Sequence, residues 1–366
     1  MLVLVVNAGS SSLKLRLLDD RDQVVRSADL PAPDPDAGDR DLTRTVRDWP
    51  VPDAVGHRIV HGGTRFTGPV LVDAAVEKAL RELTDLAPLH QPKSLAAYDA
   101  VRGLLPGVAA VACFDTAFHA SLPAAAATYA VPREWRHRYG VRRYGFHGLS
   151  HAYCSRRAAE LLGRPPAGLR LVTCHLGAGA SLAAVVNGRS VDTTMGFTPL
   201  EGLVMATRSG TVDPGLVLWL EQHEDLSAGA VANALEHRSG LLALAGTADM
   251  REVQARAAAG DEAATVAFDV FIHRLVTGTG AMAAAAGGLD ALVFTGDIGE
   301  RSPAVRAAAA ERLSHLGVRV DAGRNDDVAG DADISHSQAK ARTLVVAARE
   351  DLQIARETRS VLAARQ

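Results

Sequence analysis

Two stretches far apart in the chain follow one pattern: an apolar run, a small-residue turn, a returning run, a polar turn and a third run. In the first, strands are expected at Leu2–Val6, Leu13–Leu18 and Val24–Leu30, with Asn7-Ala8-Gly9-Ser10-Ser11-Ser12 as the first turn. In the second, Leu169–Leu176, Ser181–Val186 and Ser190–Thr194 surround the turn Gly177-Ala178-Gly179-Ala180, and Asn187-Gly188 is a type I′ hairpin signal. Each meander sits near the start of one half of the 366 residues, so the pattern points to a duplicated domain. Helical periodicity is expected at Asp73–Leu86, Ser94–Leu105, Ser150–Gly163, Asp261–Ala286, Pro303–Leu316 and Asp351–Ala364. Strands at Ala54–Val60, Val108–Phe114 and Ala291–Thr295 alternate with them, and Pro31–Arg40 reads as a surface loop. The class is α/β, with two domains and a cleft between them.

Composition narrows the partners. Hydrophobic residues at 48% and charged residues at 22% describe a soluble globular chain. Lys+Arg at 39 against Asp+Glu at 42 leaves a formal charge of -3, which offers no footprint for nucleic acid or an anionic membrane. The opening run Met1–Val6 is too short for a signal peptide, and no apolar run approaches the roughly 20 residues of a membrane span. Cys113, Cys154 and Cys174 form no CxxC pair, which suits reduced thiols and a cytoplasmic location. Small molecules and other proteins are the expected partners.

The phosphate-binding grammar is unusual. There is no GxxxxGK[ST], and Gly278–Ala283 matches GxGxxA only where a helix, not a strand, precedes it, so it reads as helix packing. The two hairpin turns can present successive backbone N–H groups to anionic oxygens. With a third small-residue turn after a strand, Thr295-Gly296-Asp297-Ile298-Gly299, they favour a nucleotide ligand.

Longer motifs sharpen this reading: NAGSSSLK (Asn7–Lys14), GHRIVHGG (Gly56–Gly63), APLH (Ala87–His90), FDTAFH (Phe114–His119) and RYGFHGLSH (Arg143–His151). GFTPLEGLVMATRSG (Gly196–Gly210), ADMR (Ala248–Arg251) and IARET (Ile354–Thr358) follow. In order and spacing, from residue 3 to about residue 358, they resemble the acetate kinase family. The resemblance implies two actin-like, ribonuclease H-like domains with an interdomain nucleotide cleft. The first would span residues 1–148, completed by a C-terminal helix at 351–366, and the second residues 149–350.

It also implies phosphoryl transfer between ATP and a short carboxylate, giving an acyl phosphate and ADP, with Mg²⁺ or Mn²⁺ and a homodimer. Chemistry agrees on the residue types required. A carboxylate is already ionised at neutral pH and needs no general base. The difficulty is bringing two anions together and stabilising a transferring phosphoryl group, which calls for Arg, His and a metal.

By motif, Arg58 and Arg208 would bind the carboxylate and the phosphoryl group, His147 its equatorial oxygens, and Asp115 would be the active-site acid. Asn7 and Glu350 would help hold the metal, and Lys14 would face the nucleotide phosphates. Val60, Leu89, Phe146 and Pro199 would wall a methyl pocket. His175, Leu176, Gly177, Ala178 and Gly179 would border the nucleotide, with Asp249, Met250, Arg251, Asp297, Ile298, Gly299, Glu300 and Arg301.

Other readings stand beside these. His147 and His151, four apart, match zinc spacing, but the intervening residues lack the glutamate of HExxH. His57, His61, His90 and His119 read equally as structural hydrogen-bonders or catalysts. Asp115 at a strand end reads as a helix cap or as a functional acid.

The family's usual asparagine in HLGNG is Ala178, the one in PLHNP is Gln91, and Asp297 and Arg301 replace a glycine and an asparagine in the adenosine turn. TNEE becomes Ala348-Arg349-Glu350-Asp351. The acyl side is therefore intact and the nucleotide side altered. Rival readings are a propionate, butyrate or other short-chain acyl kinase, and a non-catalytic nucleotide-binding paralogue.

Overall fold

A computed structural model describes residues 1–9, 12–31, 40–87 and 91–364. Ser10, Ser11, Leu89 and His90 lie outside the described residues, as does most of the expected Pro31–Arg40 loop.

The first sheet contains β1 (Val3–Ala8), β2 (Ser12–Leu18), β3 (Val24–Pro31), β4 (Ala54–Ile59), β5 (Val70–Leu71) and β6 (Ala109–Phe114), in the order β3-β2-β1-β4-β6-β5. The second contains β7 (Arg170–Leu176), β8 (Ala180–Val186), β9 (Arg189–Thr193), β10 (Ala291–Thr295), β11 (Ala332–Asp333) and β12 (Arg342–Val345). Read from its meander edge, its order is β9-β8-β7-β10-β12-β11, the order of the first sheet. In each, an antiparallel meander is followed by two parallel strands and an antiparallel edge strand. The duplication expected from the two meanders is thus present in the connectivity. The hairpin at Asn187-Gly188 has positive φ at both residues, 54° and 74°, as a type I′ turn requires.

Period-two alternation explains how the first sheet is covered. Along β1, Leu4, Val6 and Ala8 pack with Leu42, Val46, Ala97 and Val101, which lie on helices Arg40–Arg47 and Gln91–Leu104. Val3 and Val5 face the other way, onto Leu149, Ile354 and Ala355, the last two on helix Glu350–Ala363. A central strand buried on both faces reads as a continuous apolar run, which is how Leu2–Val6 reads in sequence. Gly56 makes the second cover possible: a Cβ there would lie 2.4 Å from Thr358 Oγ1 and 2.6 Å from Ile354 Cγ2. The helix rests directly on the backbone of β4.

Two compact units result. One comprises Met1–Ala120, Phe146–Tyr153 and Arg349–Gln366, and the other Ser121–Gly145 and Cys154–Ala348. This grouping differs from a division at residue 148, because residues 121–145 go with the second unit. Tyr144 N–H donates to Gly196 O at 3.0 Å, and the Arg143 guanidinium to Thr194 O and Met195 O at 3.1 Å each. The GxGxxA stretch lies inside helix Glu262–Ala285, where a Cβ on Gly278 would come within 2.9 Å of Leu182. It is helix packing, as expected. Among the described residues no helix is long and apolar enough to cross a membrane.

Candidate active site

In the first unit, parallel pairing of β1, β4 and β6 brings their carboxyl ends together, where ligands gather in such sheets. Asn7 is at the end of β1, Arg58 near the end of β4, and Asp115 directly after β6. Arg58 donates from Nε to both Asp115 carboxylate oxygens at 3.1 Å and from Nη2 to Oδ2 at 2.5 Å. Its Nη1 donates to Ala8 O at 3.0 Å and reaches Asn7 Oδ1 at 3.4 Å. Asn7 Nδ2 donates to Glu350 Oε2 at 2.7 Å, so the first residue of the last helix joins the cluster. Lys14 stands opposite Asn7 in the β1–β2 pairing and is exposed.

Electrostatics follow from burial. Asp115 is 1% exposed, and burial pushes its carboxyl above the usual range; Arg58 opposes this and Glu350 adds to it. Burial also works against the Arg58 charge, yet Asp115 and Glu350 together hold that guanidinium protonated above its ordinary value. The pair is therefore a fixed cation with its counter-ion tucked behind it. Asp115 serves here to hold Arg58, beyond any reading as a helix cap.

His147 follows immediately in space. Gly148 N–H donates to Asp115 O at 2.8 Å, and His147 itself takes a left-handed backbone with φ 56°. That conformation costs a non-glycine residue about 1–3 kcal/mol and clusters at functional sites. Phe146, 1% exposed, has its carbonyl held at 3.0 Å by the buried His119 Nε2, and its ring lies 5.5 Å from that of His61. Val60 is 7% exposed at the end of β4. Gln91, the replacement for the family's asparagine, is fully buried and holds His61 N, His61 O and Leu80 O. Of the four open histidines, His61 and His119 thus hydrogen-bond the backbone around Val60 and Phe146, and His57 lies buried against Tyr98.

The second unit holds the other set. Parallel pairing sets Thr295 of β10 beside His175 of β7, and the turns after both strands adjoin there. Gly296 has φ 78°, and a Cβ would lie 2.7 Å from Leu176 O, so glycine is required. Gly177 N–H closes its turn on Gly179 O at 3.0 Å, and exposed Ala178 accepts from Ala206 N at 3.1 Å. Asp297 and Arg301 are 80% and 77% exposed and 3.8 Å apart, so solvent screens them. Ile298 is half-buried and Gly299 buried. Asp249 caps the helix that carries buried Met250 and pairs with Arg251, whose charge Asp249 and then Asp297 hold above its ordinary value. Glu300 is different: its carboxylate turns onto the backbone, accepting from Gly296 N and Ala348 N.

Arg208 is clamped by one partner inside its motif and one that no motif announces. Its Nη1 donates to Pro199 O at 2.9 Å, which joins two expected site residues, and its Nε lies 3.5 Å from Glu236 Oε2. The loop carrying them is braced by Glu201, which accepts from the Tyr129 hydroxyl and from Arg143 Nη2 at 2.7 Å. Glu236, on helix Ala228–His237, and Tyr129 gave no sequence signal because their roles depend on packing that exists only in the fold.

Among the described residues no three His, Cys, Asp or Glu side chains group as a metal site. Asn7 and Glu350 supply one amide and one carboxylate. That donor set fits an ion whose remaining ligands are water and phosphate, the habit of Mg²⁺.

The class these features define is an actin-like kinase that phosphorylates a carboxyl group. The model of the acetokinase family matches residues 47–356, and the chain belongs to that family. It is 46% identical to the acetate kinase of Deinococcus deserti, covering 100% of this chain and 98% of that protein. The crystal structure of Porphyromonas gingivalis acetate kinase superposes with a TM-score of 0.90 at 36% identity, covering 99% of both chains. A propionate kinase from Francisella tularensis superposes at 0.91 with 35% identity, covering 98% of this chain and 99% of its own. The chain is an enzyme, a phosphotransferase.

Proposed function

We propose that this chain reversibly transfers the γ-phosphoryl group of ATP to acetate, giving acetyl phosphate and ADP. The buried Arg58–Asp115 pair carries the reading, since it presents a preorganised cation where two anions must meet. An acetate oxygen attacks the γ-phosphorus while the bond from that phosphorus to the β–γ bridging oxygen breaks, and ADP leaves with the oxygen. No proton moves, because acetate arrives ionised. Arg58 needs no reorganisation, as Asp115 and Ala8 O already hold its guanidinium in place. Arg208, kept in place by Pro199 O and Glu236, supplies a second cation. His147, on its strained backbone, takes the equatorial oxygens of the group in flight.

Asn7 and Glu350 would hold Mg²⁺ or Mn²⁺, which when bound offsets the phosphate charge. By family resemblance, Lys14 and the turns at His175–Gly179, Asp249–Arg251 and Asp297–Arg301 would border the nucleotide. The working form is a cytoplasmic homodimer, and light scattering that finds a fully active monomer would overturn that part. By the same resemblance, Val60, Leu89, Phe146 and Pro199 would wall the acyl pocket.

A second reading, a propionate kinase, has support in the propionate kinase superposed above. An extra methylene changes discrimination by only about 1–3 kcal/mol. Hydroxamate trapping of acyl phosphate, with a carboxylate panel crossed against a nucleotide panel, decides. Acetate should exceed propionate in kcat/KM, with Val60→Ala moving preference toward propionate. A wild type preferring propionate or butyrate would replace acetate as the substrate, and no product from any acid would leave a nucleotide-binding paralogue.

A further inference from the structure

We propose that Glu300 is a positioning residue whose carboxylate ties the nucleotide turn to the strand exit that delivers Glu350. Motif resemblance places Glu300 beside the nucleotide, but one oxygen, Oε1, accepts from both Gly296 N and Ala348 N at 2.9 Å each. Gly296 opens the turn after β10, and Ala348 follows β12, the neighbouring parallel strand. Two residues beyond Ala348 the chain reaches Glu350, which meets Asn7.

The turn needs such a tie. Helix Gly296–Arg301 is a short turn of six residues, and its N-cap Thr295 makes no side-chain capping bond, so the Gly296 N–H relies on Glu300. The other end is held separately. Arg306, 1% exposed, donates from Nη1 to Gly299 O at 2.9 Å and Glu300 O at 2.7 Å. Its Nε and Nη2 reach Asn325 Oδ1 and Asn325 O at 2.8 and 2.6 Å, which anchors the guanidinium in turn. Glu300 is therefore gripped through its own carbonyl while its side chain grips two backbone amides. Because one acceptor oxygen does this, a neutral amide oxygen serves as well as a carboxylate, whereas a shorter or absent side chain does not.

The proposal rests on the nucleotide-site reading above, and its test separates the two. Glu300→Ala, Glu300→Asp and Glu300→Gln are compared with wild type by hydrogen exchange of peptides covering Gly296 and Ala348, and by ADP titration calorimetry without metal. In Glu300→Ala and Glu300→Asp, exchange at both amides should rise at least tenfold and ADP affinity fall by about tenfold, the scale of a lost hydrogen bond. Gln should restore slow exchange and an affinity within about threefold of wild type. The Glu300→Asp variant, which keeps the charge but shortens the reach, keeps the test open should Glu300→Ala fail to fold. KM for ATP should rise in Ala and Asp while KM for acetate stays put, a split that general destabilisation would not give. Unchanged exchange, or Gln as weak as Ala for ADP, would overturn the proposal in favour of direct contact between the carboxylate and nucleotide. Wild type that binds ADP but forms no acyl phosphate would instead sink the catalytic reading and leave the Glu300 result standing.

Discussion

The Arg58 guanidinium faces a carboxylate that is 1% exposed, whereas Arg208 Nε faces Glu236, whose side chain is 13% exposed. Removing either cation should cost about 3–4 kcal/mol of transition-state stabilisation, a loss of orders of magnitude in turnover. Arg58→Ala should also lower the melting temperature, because it strands the Asp115 charge in the interior at about 3–5 kcal/mol. Arg208→Ala should melt closer to wild type. Replacing both partners, Arg58→Met with Asp115→Leu, should recover the melt and leave the protein inactive; thermal scans beside the hydroxamate assay read both. If Arg58→Ala melts like wild type, the buried pair is not what holds this corner. Asp297 shows the opposite balance. Exposed and screened, it should leave stability within about 0.5 kcal/mol when changed to Gly. The preference among ATP and GTP should move more than the KM for acetate, and equal nucleotide affinities by calorimetry would remove Asp297 from the site.

Among the elements, the joint between β4 and helix Glu350–Ala363 leaves no room for a side chain on the strand. Gly56→Ala would drive a methyl group against Ile354 and Thr358, a crowding worth about 1–3 kcal/mol, and would push Glu350 away from Asn7. Denaturant midpoints should fall and nucleotide turnover with them, while Gly68→Ala, open within 4 Å, should change neither. This joint also marks how far sequence reading reaches. The strands announce themselves by apolar runs, Asn187-Gly188 by its turn chemistry, and helix 350–363 by its periodicity. What Gly56 is for cannot be read locally, since the side chains it makes room for lie some three hundred residues away. Arg58, Asp115 and Glu350 were legible because motifs fix residue types. That Asp115 belongs to Arg58, that Glu236 backs Arg208 and that Glu300 turns inward depend on packing, and packing leaves no period. The short helices at Pro214–His223, Ala228–His237 and Gly240–Ala245 also escaped, with two of them burying little apolar surface.

For the molecule as a whole, three of the buried histidines of the first unit weaken it in acid. Burial holds His57 down to about 3, and His61 and His119 down to about 4, against 6.5 in an unfolded chain. Neither ring nitrogen of His57 has a hydrogen-bond partner among the described residues, so a proton there would gain nothing. The folded state keeps these rings neutral while the unfolded state protonates them below 6.5. Stability is therefore full above that pH and falls as pH drops from 6.5 toward about 4, by about 1.4 kcal/mol per pH unit for each proton. Urea unfolding at pH 7.5 and pH 5 should show the loss, and His57→Phe, set against Tyr98, should shrink it; an equal loss in that variant would clear His57. A different consequence follows from Asn7 meeting Glu350 across 343 positions of chain. As the polypeptide leaves the ribosome, β1 to β6 emerge early, yet Val3, Val5, Val111 and Cys113 must wait for Ile354 and Ala355 to cover them. The second unit has all its residues once Ala348 is made. Throughout the synthesis of that unit the first sheet stands with one oily face bare, inviting chaperones or a neighbouring nascent chain. The half of the molecule made first is the half finished last.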